Sequence, residues 1–398
     1  MRLIYINRGA SPSKFAQYLK QYNNRLQQQG QKYNQLLMEG LVENGSEVVS
    51  VSARPINRAL SRQFFFKGEK ELEKGIHYDY IPFFNFKGLR DISVLLGIFG
   101  RVLFLKGKKK DTVVICDGLN IAGSIGAVVA AALRGFPTVG IVTDVPGHLS
   151  YARKISFTQK VNLAVMRSFK SYLLLTEQMS EVVNPKKRPY IVMEGHVDQS
   201  MAAMENTLEG KYEKQVIFYA GSLMEIYGIG NLVEGFLSAQ LPNAELHIYG
   251  SGDYTEKLKK QAEGNKAIRY CGVAPNSDIV KAELAATLLV NPRPTNEDYT
   301  KYSFPSKNME YMASGTPVLT TKLPGMPEEY YPYVYLLEDE SAEGMAKALK
   351  EILSQPEEEL AQKGAAAKAF VLREKSNTAQ AKKLLELVDK LCNNRNWK

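Results

Sequence analysis

The chain has 398 residues, 44% of them hydrophobic, with a formal charge of +9. That length exceeds what one ordinary core organises and predicts two domains, while ordinary Gly and Pro content without repeats or low-complexity tracts excludes fibrous and disordered classes. Cys116, Cys271 and Cys392 are few, odd in number and far apart, which argues against a disulfide framework or a cysteine metal site and points to a reducing cytoplasm.

The opening run Met1 to Asn7 reads as a first strand and lacks the long apolar stretch of a signal peptide. Short apolar or β-branched runs at 2–6, 47–51, 112–116 and 138–143 have the form of buried parallel strands, with helical patterns at 33–44 and 121–134 between them. The apolar run 92–105 is interrupted by Gly97, Gly100 and Arg101 and falls short of the ~20 residues that span a bilayer. It reads as a helix packed on the first sheet. Phe64, Phe65, Phe66, Phe83 and Phe84 read as strand core, with an interfacial role as the lesser alternative.

Basic residues cluster at Lys106, Lys108, Lys109 and Lys110, and again at Lys186, Lys187 and Arg188. Neither cluster is interleaved with an aromatic stacking platform, so nucleic acid is not an expected partner. Anionic lipid headgroups, or an acceptor carrying a lipid diphosphate, fit such patches better.

The second half repeats the strand and helix alternation, with strands at 215–220, 245–249, 268–270, 287–291 and 317–320. Doubly wound parallel sheets, one per half, follow from this order. The boundaries are 1–200 for the first domain, 201–214 for a polar linker, 215–375 for the second domain, and 376–398 for a terminal amphipathic helix and tail that packs back on the first domain.

Open α/β sheets bind ligands at the carboxyl ends of their strands. There the second half places Gly221-Ser222, then Tyr227-Gly228, and after the next strand Gly250-Ser251-Gly252. Glycines allow close backbone approach, and a following helix N-terminus holds diphosphate. Further along, Ser303-Phe304-Pro305-Ser306-Lys307 leads into Asn308 to Ala313 and stops at Gly315 and Pro317, the start and stop signals of a short helix. On it Lys307, Glu310, Tyr311 and Ser314 fall at i, i+3, i+4 and i+7 and share one face. An ammonium for a diphosphate and a carboxylate for two ribose hydroxyls suit a sugar nucleotide.

The Phe304 to Val318 stretch, with Tyr219-Ala220-Gly221-Ser222-Leu223, Ile248 to Gly252, Tyr270-Cys271-Gly272-Val273 and Gly195-His196-Val197-Asp198, resembles the retaining glycosyltransferases of the GT-B fold, family 4. The Phe-Pro-Ser-Lys form is similar to a branch that builds bacterial surface polysaccharides. The resemblance implies two Rossmann-like domains facing a central cleft, and transfer of a sugar from a nucleotide-diphosphate sugar to a saccharide or a polyprenyl-diphosphate-linked acceptor. It also implies that Glu310 binds the ribose diol, that Val273 contacts the base, and that Gly9 belongs to a loop facing the donor phosphates.

Departures from the family pattern are Tyr302 at the position of a first Glu, and Ser222 and Tyr227 at positions of an Arg and a Lys. Lys307, Arg293 and Lys301 are the nearest basic replacements, and Glu297 or Asp298 could take over contact with the donor sugar. Asp144, after the strand at 138–143, falls where relatives carry a His near the reacting sugar and would support an oxocarbenium-like transition state or cap its loop. Asp117 is the weaker second carboxylate. His148 and His196 sit near such loops and read as structural. No cofactor or metal is expected, since no ligand spacing occurs. The expected location is the cytoplasm, extending to the inner face of the cell membrane. A sugar-nucleotide epimerase or hydrolase, or a non-catalytic partner subunit, remains the alternative.

Overall fold

The computed structural model describes residues 1–23, 25–146 and 156–393, so His148 lies outside the described residues. The chain folds as two compact units, Met1–His196 joined by Asn377–Lys398, and Val197–Ser376.

In the first unit, β1 (Arg2–Asn7), α1 (Pro12–Gln21), α2 (Gln28–Glu43) and β2 (Glu47–Ser52) come first. Four short strands follow: β3 (Phe65–Phe66), β4 (Glu69–Glu73), β5 (Ile76–Tyr80) and β6 (Phe83–Phe84). Next are α3 (Leu89–Phe104), β7 (Thr112–Asp117), α4 (Ile121–Arg134) and β8 (Thr138–Val142). The series ends with α5 (Phe157–Met166), β9 (Ser171–Leu174), α6 (Met179–Val183) and β10 (Tyr190–Val192). Among the described residues one sheet runs β10-β9-β8-β7-β1-β2-β5-β4. It is parallel except where β4 pairs antiparallel with β5 at the edge. β7 and β8 are almost wholly buried, as a parallel strand covered on both faces must be, which is why they read as apolar runs. β1 lies between β2 and β7, where the strand order reverses, and loops leaving such a switch point form a crevice.

In the second unit the order is β11 (Gln215–Ser222), α7 (Ile229–Ala239), β12 (Ala244–Ser251), α8 (Thr255–Gly264), β13 (Ile268–Gly272) and α9 (Asn276–Ala285). Then come β14 (Leu288–Asn291), α10 (Ser306–Ser314), β15 (Val318–Thr321), β16 (Tyr335–Leu337), α11 (Ala342–Leu353) and α12 (Glu357–Glu374). Its sheet, β13-β12-β11-β14-β15-β16, is parallel throughout. Ile217, Leu246 and Val290 from the strands bury completely against Leu232 and Leu349 from α7 and α11.

The 201–214 segment differs from the expected linker. Asn206 donates to the Ser314 carbonyl and the Thr316 hydroxyl, and the Lys211 ammonium donates to the carbonyls of Leu284 and Ala286 and to Thr316. Its polar residues satisfy backbone groups of the second unit, so composition misreads it as a tether. The second unit begins and ends together instead, where Val197 bridges to Ser376 and its amide donates to the Lys375 carbonyl at 2.9 Å.

The last helix, α13 (Asn377–Asn393), belongs to the first unit and packs on α2. Gly40 makes that approach possible, because a Cβ there would sit 2.3 Å from the Asn377 carbonyl oxygen. Gly40→Ala should therefore destabilise the first unit by about 1–3 kcal/mol through overpacking against backbone. Urea denaturation followed by circular dichroism measures this; an unchanged midpoint would show that the helix yields without cost.

Candidate functional site

The carboxyl edge of the second sheet is built on two glycines. β11 and β12 pair in register with Gly221 beside Gly250 and Ser222 beside Ser251. Gly250 has φ +132°, and a Cβ there would fall 1.7 Å from the Gly221 carbonyl oxygen, so no other residue fits. Past β11 the chain turns through Gly228 into α7, whose N-terminus carries no side-chain cap and no acidic residue in its first turn.

α10 stands beside this edge. Its N-terminus, after Pro305, also lacks a side-chain cap and an acidic first turn, so its free amides favour an anion. Two buried contacts fix it. Asn308 accepts from Asn291 at 2.7 Å and donates to the Thr320 hydroxyl at 3.1 Å, spanning β14 and β15. The Tyr311 hydroxyl accepts from the Ala220 amide at 2.9 Å and donates to the Ala220 carbonyl at 3.2 Å, fastening the helix to the end of β11. The expected common face is thus divided in use. Tyr311 and Ser314 are buried, while Lys307 and Glu310 are half-buried and Ser306 is exposed. Lys307 lies along the glycine edge, its Cε 3.0 Å from where a Gly221 Cβ would be.

Arg293, just past β14, has its guanidinium 4.6 Å from the Tyr227 ring centroid and 5.8 Å from that of Tyr299. It also donates to the Ser303 hydroxyl at 3.1 Å. Tyr227 therefore does not leave its position empty of charge; its ring holds a cation from another loop. Tyr219 donates its hydroxyl to the Ser222 carbonyl at 2.9 Å, and burial pushes its pKa up, partly opposed by nearby Arg293. Gly221, Ser222, Tyr227, Arg293 and Lys307 are thereby tied into one neighbourhood. Val273 extends past β13 with 76% of its surface exposed. Asp298 and Lys301 form a solvated pair at 3.3 Å, with the Asp298 side chain 98% exposed.

Gly9 and Asp144 belong to the first unit. The Gly9 amide donates to Asn7 Oδ1 at 2.7 Å, and its carbonyl accepts from Ser52 at 3.0 Å, which fixes the loop after β1. Asp144 follows β8, and Asp117 ends β7, its register partner being Ile141 of β8. Burial first, and the neighbouring Asp117 charge second, push the Asp144 pKa up to about 6. His196 is an anchor: its Nε2 lies 2.9 Å from the Tyr33 carbonyl, and burial lowers its pKa to about 4, so the ring is neutral. Among the described residues no three His, Cys, Asp or Glu side chains are grouped to hold a metal ion.

Sequence reasoning missed Asn308, Tyr219 and Tyr299. Tyr219 was legible in principle, as a polar tip beside a glycine edge; Tyr299 was not, because its partner Arg293 lies on its far side in sequence only by a loop of no regular period.

Residues 201–370, which lie within the second unit, match the family described as glycosyl transferases group 1. No curated protein matches the chain by sequence. Solved structures share the fold. Sucrose-phosphate synthase from Thermosynechococcus elongatus aligns over 98% of this chain and 99% of its own, at 13% identity and a TM-score of 0.67. A UDP-forming α,α-trehalose-phosphate synthase from Burkholderia xenovorans aligns over 99% of both chains, at 11% identity and 0.66. HepE of Anabaena, in complex with UDP, aligns over 98% of this chain and 100% of its own, at 13% identity and 0.65. The common architecture is the two-domain α/β fold of GT-B glycosyltransferases.

Tyr311→Phe leaves the buried Ala220 amide without its partner and should cost about 1–3 kcal/mol of stability. Thermal unfolding of the variant measures the loss; an unchanged transition would show that Tyr311 does not hold α10 in place.

Proposed function

We propose that the protein is a retaining, metal-independent glycosyltransferase that moves a sugar from a nucleotide-diphosphate sugar to a hydroxyl of a saccharide or lipid-linked saccharide in cell-surface polysaccharide synthesis. The observation that carries this reading is the Lys307 side chain laid along the Gly221 edge at the uncapped start of α10, inside the group 1 domain.

In this reading the diphosphate lies against the α10 N-terminus, with Lys307 and Arg293 meeting its charge, and Gly221 and Gly250 let it approach the backbone. Glu310 takes the ribose diol, Val273 flanks the base, and Ser222, Tyr227 and Ser306 line the edge. As the bond from the anomeric carbon to the diphosphate oxygen breaks, the acceptor oxygen bonds that carbon on the same face. The acceptor proton passes to the departing diphosphate oxygen. Ionised Asp144 supports the cationic sugar in between. UDP is the first nucleotide to test, because HepE binds it and the trehalose-phosphate synthase is described as UDP-forming.

A lipid-linked acceptor draws support from the surface of the first unit. α3 exposes Leu89, Ile92 and Leu96, the last two to 58% and 60%, near exposed Phe84 and Phe86. Among the described residues no helix is long and apolar enough to cross a membrane. A peripheral contact with anionic lipid at the cytoplasmic face fits this apolar ridge and the Lys106 to Lys110 run.

Calorimetric titration with UDP should show binding to the wild type and at least tenfold weaker binding to Lys307→Ala and Glu310→Ala; equal affinities would end the site assignment. Transfer should survive chelator, whereas a strict divalent-metal requirement would contradict the mechanism. Product analysis with donor alone separates transfer from epimerisation or hydrolysis. Because the Asp144 pKa is raised to about 6, its carboxyl is neutral below that pH, so activity should rise with pH through about 6. Asp144→Asn should lose this limb along with most of its rate. A limb that persists in the variant would remove Asp144 from the chemistry.

A further inference from the structure

The loops leaving β1, β2 and β7 enclose a cavity of about 550 Å³ that lies wholly within the first unit, at the switch point of its sheet. Three guanidinium groups line it, from Arg8, Arg25 and Arg90, against one carboxylate, Asp117. That carboxylate already accepts from the Leu119 amide at 3.0 Å. Arg8 is tethered through Nε to Asn120 at 3.2 Å. Arg90 packs over the Phe83 ring at 5.3 Å and reaches the Ile56 carbonyl through Nη2 at 3.4 Å, while its buried Nε has no hydrogen-bond partner among the described residues. The Arg25 side chain makes no hydrogen bond or ion pair among the described residues.

A second feature points the same way. Gln27 and Gly30 line the cavity, so the first turn of α2 borders it. That turn has no side-chain cap and no acidic residue, and nothing lies within 4 Å of where a Gly30 Cβ would stand. Free amides at the start of a helix and convergent guanidinium forks are the two devices that bind phosphoryl oxygens best. Burial, and then the charge of Arg8, depress the Arg90 pKa, partly opposed by Asp91, so the cations are held close with Asp117 the one carboxylate among the lining residues. An incoming dianion would relieve that cost.

We infer that this cavity binds a phosphoryl group, carried by the acceptor on the side away from the hydroxyl that is glycosylated. The word acceptor rests on the transferase reading above; the phosphoryl site does not. A sugar phosphate and the head of a prenyl diphosphate present the same chemistry to these residues.

The experiment titrates the full-length protein by calorimetry with inorganic pyrophosphate, a hexose phosphate and farnesyl diphosphate, each at saturating UDP so that the nucleotide's own diphosphate site is filled. At least one probe should bind the wild type at one equivalent. Arg25→Gln, which loses no hydrogen bond or ion pair among the described residues, should weaken it at least tenfold, and Arg90→Gln at least as much, with UDP affinity unchanged in both. Preference for farnesyl diphosphate identifies a lipid head as the source, and preference for the hexose phosphate a soluble acceptor. Either supports the site. Absence of binding by all three probes, or equal affinity in wild type and Arg25→Gln, overturns it. If UDP does not bind but a phosphoryl probe still responds to Arg25→Gln, the donor reading fails and this site stands.

Discussion

The hydrogen-bonded clasp between the Tyr311 hydroxyl and both polar groups of Ala220 is the contact on which the second unit's site depends. A parallel sheet brings all its strand ends to one edge, but it does not dictate how the next helix stands over that edge. The clasp does, because a buried amide that loses its partner costs about 1–3 kcal/mol. With α10 held, Lys307 lies along the space that Gly221 leaves by having no side chain.

The electrostatics are assembled indirectly. At the end of the first strand of the second unit and on the loop after it, where the family resemblance leads one to expect an Arg and a Lys, this chain has Ser222 and Tyr227. Positive charge reaches the neighbourhood from Arg293 on a different loop, and the Tyr227 and Tyr299 rings hold it there. Planar guanidinium stacks on aromatic faces and keeps its edge donors available, here to Ser303. Loss of a charge at one position is thus compatible with an anion-binding edge, provided the substituted ring positions another cation.

Much of this was legible in the sequence, for a physical reason. Strands buried on both faces must be apolar throughout, so β1, β2, β7, β8 and β11 stand out as runs. β5 and β9 hide because tyrosines and polar residues occupy them, and β4 because it is a charged edge strand whose side chains meet water. Gly221, Gly250 and Lys307 were readable together because the two glycines sit at the carboxyl ends of strands and Lys307 opens the helix that comes after another, and strand ends converge. The 201–214 segment was misread, since a half-buried Lys211 that donates to two carbonyls looks in sequence like any solvated lysine. Arg8, Arg25 and Arg90 come from three separate segments and meet only through the fold, beyond the reach of spacing arguments.

Hydrogen–deuterium exchange with and without saturating UDP tests the central claim most directly, since it reads backbone amides and needs no substitution. Slowed exchange should concentrate in two stretches of the second unit, 221–232 and 303–311, where uncapped helix starts meet the glycine edge. Protection confined to other segments, with those two unchanged, would contradict the account.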